Sequence, residues 1–116
     1  MPAKLAVLGN VNIDFVISAE RMPLPGETLV GENLRFVPGG KAANQAVTAV
    51  RLGAQVSIIG MVGRDAFGPA LVDNLEREGI NTDHLTRSEG VATGAAMVVL
   101  MPDGDIIFGF NTDRET

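Results

Sequence analysis

The chain has 116 residues, 46% of them hydrophobic and 20% charged, enough for one compact domain with a real core. Its formal charge of -5, with 9 scattered Lys and Arg, argues against a nucleic-acid partner, which requires a concentrated basic face. The lack of Cys removes disulfides and thiolate chemistry, and no apolar run reaches the roughly 18 residues that span a bilayer or forms a signal-peptide core before Asn10, so a cytoplasmic protein with no membrane partner is expected.

In chain order, "KLAVLG" reads as a buried strand ending at Gly9, and "NIDFVIS" as a strand leaving the core for a more exposed sheet. "MPLPGET" gathers Pro23, Pro25 and Gly26 into a turn, after which "TLVGENLRFV" returns as a second strand, so the pair forms a hairpin or flap. From Lys41 to Leu52, Ala43, Ala46, Val47 and Val50 recur at helical spacing, with Gly53 placed to end the helix. Its alanines let it lie close to a sheet. "AQVSIIGMVG" is a second buried strand, and "RDAFGPALVDNLEREG" a second helix with Pro69 near its start and Gly79 as its stop. This order predicts an α/β fold, the start of a doubly wound parallel sheet, with ligands outside the carboxyl ends of its strands. The loops after Gly9 and Gly63 are therefore of interest. "VATGAAMVVLM", "PDGD" and "IIFGF" form a further hairpin with a type I′ turn at Asp103-Gly104, which adds two strands to the flap. Core elements are thus expected at about 4–12 and 38–80 and lid strands at about 13–37 and 91–110, with hinges near Ser18 and Val37–Gly39. "NTDHLTRSEG" reads as a polar connection in which His84 has no partner at metal spacing, and Met97 and Met101 as packing residues.

The candidate site collects at the ends of these elements. Asn12 and Asp14 are two apart in an extended segment and share a face, where an amide and a carboxylate can grip vicinal hydroxyls or can close a turn after the strand. Gly39 and Gly40 precede a helix, so they either open its unpaired N–H groups to a polar or anionic ligand or make an ordinary turn. Lys41 and Asn44, three apart on the first helical turn, either point into the same space or lie on the solvated surface. "GNVNID" lacks the second glycine of a dinucleotide fingerprint, and "RFVPGGKA" lacks the Ser or Thr after lysine of a Walker loop. No Ser–His–Asp arrangement can be argued from the lone His84, and there is no Gly-x-Ser-x-Gly elbow.

Taken in order, "GNVNID", "PLPGET", "PGGKAANQAVTAVRLGA", "GMVGRDAFG" and "TGAAMVVLMPDGD" resemble the amino-terminal part of the ribokinase-like phosphofructokinase-B carbohydrate kinase family, over nearly the whole of residues 1–116. The resemblance implies that Asn12, Asp14, Gly40, Lys41 and Asn44 bind sugar hydroxyls, of ribose or a similar sugar, and that the flap closes over them as a lid. Ala42 stands where the family usually has glycine. The family's catalytic aspartate, in a Gly-Ala-Gly-Asp motif, and its ATP and Mg site belong to a later part of its chains. No catalytic residue, nucleotide site or metal site is therefore expected among these residues. The implied function is the sugar-binding and lid portion of an ATP-dependent kinase; a non-catalytic binding or assembly module and one half of a split kinase are the alternatives. The lid strands are the expected surface for a homodimer or larger assembly, as in the resembled kinases.

Overall fold

A computed structural model describes residues 2–102 and the backbone of 106–111. In chain order its elements are β1 (Lys4–Leu8), β2 (Asn12–Ser18), β3 (Glu32–Gly39), α1 (Lys41–Arg51), β4 (Gln55–Gly63), α2 (Gly68–Arg77), β5 (Leu85–Ser88), β6 (Gly94–Leu100) and β7 (Ile106–Asn111). They form two sheets, a parallel one ordered β1-β4-β5 and a mixed one ordered β3-β2-β6-β7.

The parallel sheet is the core. Val56, Ile58 and Val62 alternate along one face of β4 and are buried against Ala42, Ala43 and Ala46 of α1 and Leu71, Val72 and Leu75 of α2. Methyl-sized side chains let α1 lie close to the strands, and the Arg51–Glu78 ion pair ties the C-terminal ends of the two helices together. Both helices therefore cover one face of the sheet. On the other, Leu8, Ile59 and Met61 are exposed. Strand β5 is the element that the sequence hides: it lies in "NTDHLTRSEG", where only Leu85 of its four residues is buried, and parallel pairing with Gly60–Gly63 is what makes it a strand. The parallel sheet thus has three strands, not the two read from the sequence. His84, just before it, is exposed, as expected.

The lid sheet joins two antiparallel pairs, β2/β3 and β6/β7, through a parallel β2/β6 pairing with Asn12 opposite Gly94 and Asp14 opposite Ala96. Both hairpin partnerships match the sequence reading, while the type I′ turn at Asp103-Gly104 lies outside the described residues. The turn in "MPLPGET" is a type II turn at Pro25-Gly26, with φ +79° at Gly26 and a Glu27 N–H to Leu24 carbonyl bond of 2.9 Å. Pro38 is tolerated in β3 because β3 is an edge strand. The chain passes from core to lid at Gly9–Val11 and back at Gly39–Gly40. Ser18 is not a hinge: it ends β2 opposite Leu100, at the end of the strand away from that crossing. Met97 is not a packing residue within the chain either, because its side chain is 53% exposed on the lid.

Candidate functional site

The crossing between the sheets brings four of the expected residues together. Asn12 opens β2 opposite Gly39, and the pleat places Asp14 on the same face. A Cβ built on Gly39 would lie 2.6 Å and 2.7 Å from the Asp14 carboxylate oxygens, so the carboxylate lies over the bare Cα of Gly39. Gly40 has φ +99°, and a Cβ there would lie 2.5 Å from the Asn10 carbonyl oxygen. What approaches the two glycines so closely is the chain itself.

Asn10 is the residue that the sequence reading missed. Its Oδ1 accepts hydrogen bonds from the N–H groups of Lys41 (3.1 Å) and Ala42 (3.5 Å), and its carbonyl accepts one from Ala43 N–H (3.4 Å). The helix N–H groups expected to await a ligand are therefore largely taken, by a cap 31 residues away in sequence. The only signal was a polar residue directly after Gly9, at the carboxyl end of a core strand. Ala42 packs beside it, and its methyl group would meet a Cβ on Gly9 at 2.9 Å. The glycine at position 9 accommodates the alanine at position 42.

Two polar groups at the crossing remain without partners among the described residues. Asn12 is 2% exposed and its Oδ1 is buried without a hydrogen bond. The Asp14 carboxylate is half-buried, receives no hydrogen bond among the described residues, and has its pKa raised from the ordinary value by burial. A buried amide oxygen and a desolvated carboxylate on one strand face are acceptors without donors, which is what a polyhydroxylated ligand supplies. Asn44 is exposed and, with Gly39, lines a cleft of about 390 Å³ running between α1 and α2. Lys41 is exposed on the first turn and makes no ion pair among the described residues. Among the described residues no group of three His, Asp or Glu side chains could hold a metal ion.

The profile described as pfkB family carbohydrate kinase matches residues 2–115. The chain is 41% identical over 113 residues to the ribokinase of Bacillus subtilis, covering 94% of this chain and 38% of the relative. It is 44% identical over 98 residues to the ribokinase of Haemophilus influenzae, covering 84% of this chain and 32% of the relative. Among solved structures, the ribokinase of Arabidopsis thaliana complexed with ribose and ATP superposes with a TM-score of 0.83 at 31% identity, over 97% of this chain and 36% of that one. The ribokinase of Cryptococcus neoformans in complex with ADP gives 0.81 at 32% identity, over 96% and 34%. The chain spans about a third of the length of these relatives. With the motifs in family order, the fold matched along almost all of its length and the profile spanning residues 2–115, this chain belongs to the pfkB family of carbohydrate kinases.

Proposed function

We propose that the chain is the sugar-binding and lid portion of an ATP-dependent ribokinase-like kinase, in which Asn12, Asp14, Gly39, Gly40, Lys41 and Asn44 bind ribose or a similar sugar. The observation that carries this reading is the buried, unpartnered Asn12 Oδ1 beside the partnerless Asp14 carboxylate. Hydroxyl donors from a sugar would satisfy both, and the lid strands that carry them would exclude water from the site. Gly39 and Gly40 serve by letting Asp14 and Asn10 approach the backbone, and Asn44 and Lys41 lie on the adjoining helical turn. The relative from Arabidopsis, solved with ribose and ATP, supports ribose as the first ligand to test. In phosphoryl transfer, magnesium ATP would supply the phosphoryl group; this chain's part is confined to holding the sugar, and a ribose-dependent release of ADP from the chain alone is not expected. The cytoplasm, the site of ATP-dependent sugar phosphorylation, is the proposed location.

Asn12→Leu tests the reading, since leucine keeps the branching and heavy-atom count of asparagine and removes the unpartnered amide. Ribose affinity measured by calorimetry falls about tenfold, the equivalent of one hydrogen bond in a desolvated site. Unchanged affinity would overturn the assignment of Asn12.

The same reading includes self-association through the lid. Leu34, Phe36 and Met97 are 62%, 58% and 53% exposed and share a lid face with the half-buried Phe15 and Ile17. A contiguous apolar face of this kind is covered in a stable protein, and a second copy of the lid would offer it an equally apolar face. Sedimentation is expected to give a dimer or larger species at micromolar concentration, and Met97→Glu a monomer. A monomeric wild type defeats the proposal.

A further inference from the structure

The loop 64–67, between β4 and α2, lies outside the sugar site yet grips β2, β3 and the residue before β6. The Asp65 carboxylate accepts hydrogen bonds from the backbone N–H of Thr93 (2.8 Å) and from its hydroxyl (2.8 Å). Thr93 is buried, and its Oγ1 in turn accepts the N–H of Gly63 (2.9 Å). Two residues after Asp65, the Phe67 ring meets Phe15 of β2 at 5.3 Å and Phe36 of β3 at 5.9 Å, edge to face. Both grips adjoin the strand segment that carries Asn12 and Asp14. Thr93 precedes Gly94, the partner of Asn12, and Phe15 follows Asp14.

We propose that Asp65 and Phe67 are positioning residues which, with Thr93, form the fulcrum of the lid, holding its root on the first turn of α2 and so setting where Asn12 and Asp14 stand. The two grips differ in kind. The Asp65–Thr93 bonds are directional and fix a point. Asp65 is itself held to the start of α2 by the N–H groups of Phe67 (3.1 Å) and Gly68 (3.0 Å), so that point belongs to the core. The aromatic contact is attractive over a range of tilts and lets the sheet rotate about the fixed point. Gly63 makes the approach possible, because a Cβ there would lie 2.5 Å from Thr93 N and 2.7 Å from Asp65 Oδ2. The motif "GMVGRDAFG" thereby acquires a role distinct from sugar contact.

The part of this proposal that concerns sugar affinity rests on the sugar-binding reading, whereas the fulcrum itself can be tested without ligand. In hydrogen exchange on the unliganded chain, Thr93→Val removes the hydroxyl links at nearly constant volume, and Thr93→Ser keeps them. Amides of β2 and β6 are expected to exchange about tenfold faster in Thr93→Val, with those of α1 and β4 unchanged and the wild-type pattern restored in Thr93→Ser. Phe67→Leu should show the same selectivity in β2 and β3. Acceleration spread evenly over both sheets, or none in the lid, overturns the fulcrum. Ribose calorimetry on the same proteins is expected to show an affinity loss of about tenfold in Thr93→Val and recovery in Thr93→Ser. Full ribose affinity in Thr93→Val overturns the positioning role. If the wild type takes up no ribose, the sugar-binding reading falls and the exchange pattern alone decides the fulcrum.

Discussion

Gly40→Val lowers the unfolding free energy by about 3 kcal/mol or more, the sum of a strained backbone and an overfilled space. At φ +99° a β-branched residue is in a region that L side chains rarely adopt, and its Cβ would lie 2.5 Å from the Asn10 carbonyl oxygen and 3.0 Å from Asn12 N. Relief requires pushing away the segment that caps α1 and starts β2, so the same change disturbs the site more than Lys41→Met, which removes one exposed ammonium and leaves the backbone in place. Gly53 provides the control. It has φ +98°, but a Cβ there would meet nothing within 4 Å, so Gly53→Ala reports backbone strain alone, about 1 kcal/mol. Urea unfolding of Gly40→Ala, Gly40→Val and Gly53→Ala separates the two causes, since the clash at position 40 begins at the first side-chain carbon. A Gly40→Ala protein no less stable than Gly53→Ala refutes the close-approach argument.

The comparison of positions 40 and 53 also marks how far the sequence could be read. Both glycines were visible as punctuation around a helix, and α1 begins and ends within a residue of where they put it. Local periodicity carried the helices, the long strands and the two lid hairpins, because those signals reside in neighbouring residues. What it could not carry were contacts between distant segments. The cap of α1 comes from Asn10, the β5 strand exists through its pairing with β4, and the Asp65–Thr93 link spans 28 residues. Asn12 and Asp14 were legible as a same-face polar pair, but that one would be buried without a partner and the other desolvated depends on how the two sheets meet. The glycine pair was legible as a place of close approach, although the approaching groups are Asp14 and Asn10.

With Asp14 as the proposed sugar acceptor, Asp14→Asn is expected to weaken ribose binding by on the order of a hundredfold, and yet to stabilise the unliganded chain near pH 7. The reason for the second effect is that burial raises the Asp14 pKa in the folded state above its ordinary value of 3.8. The folded state then holds that proton more tightly than the unfolded one, so the contribution is favourable below 3.8 and is lost as pH rises through the raised folded value. At neutral pH the carboxylate is ionised in a site that disfavours its charge, and a neutral amide removes that penalty. Asp65 has the opposite sign. Chiefly the Thr93 N–H, then the Thr93 hydroxyl and the Gly68 and Phe67 N–H groups, lower its pKa to about 2 against the effect of desolvation. Its stabilisation is complete above 3.8 and disappears as pH falls toward about 2. With solvent screening allowed for, Asp65→Asn is expected to cost about 1–2 kcal/mol at pH 7, and less at pH 3. Thermal melts of wild type, Asp14→Asn and Asp65→Asn at pH 3 and pH 7 therefore diverge in opposite directions as pH rises, the first variant above wild type and the second below it. A lower melting temperature for Asp14→Asn at pH 7 would mean that the carboxylate is satisfied within the chain, and its assignment as an acceptor awaiting a sugar would fail with it.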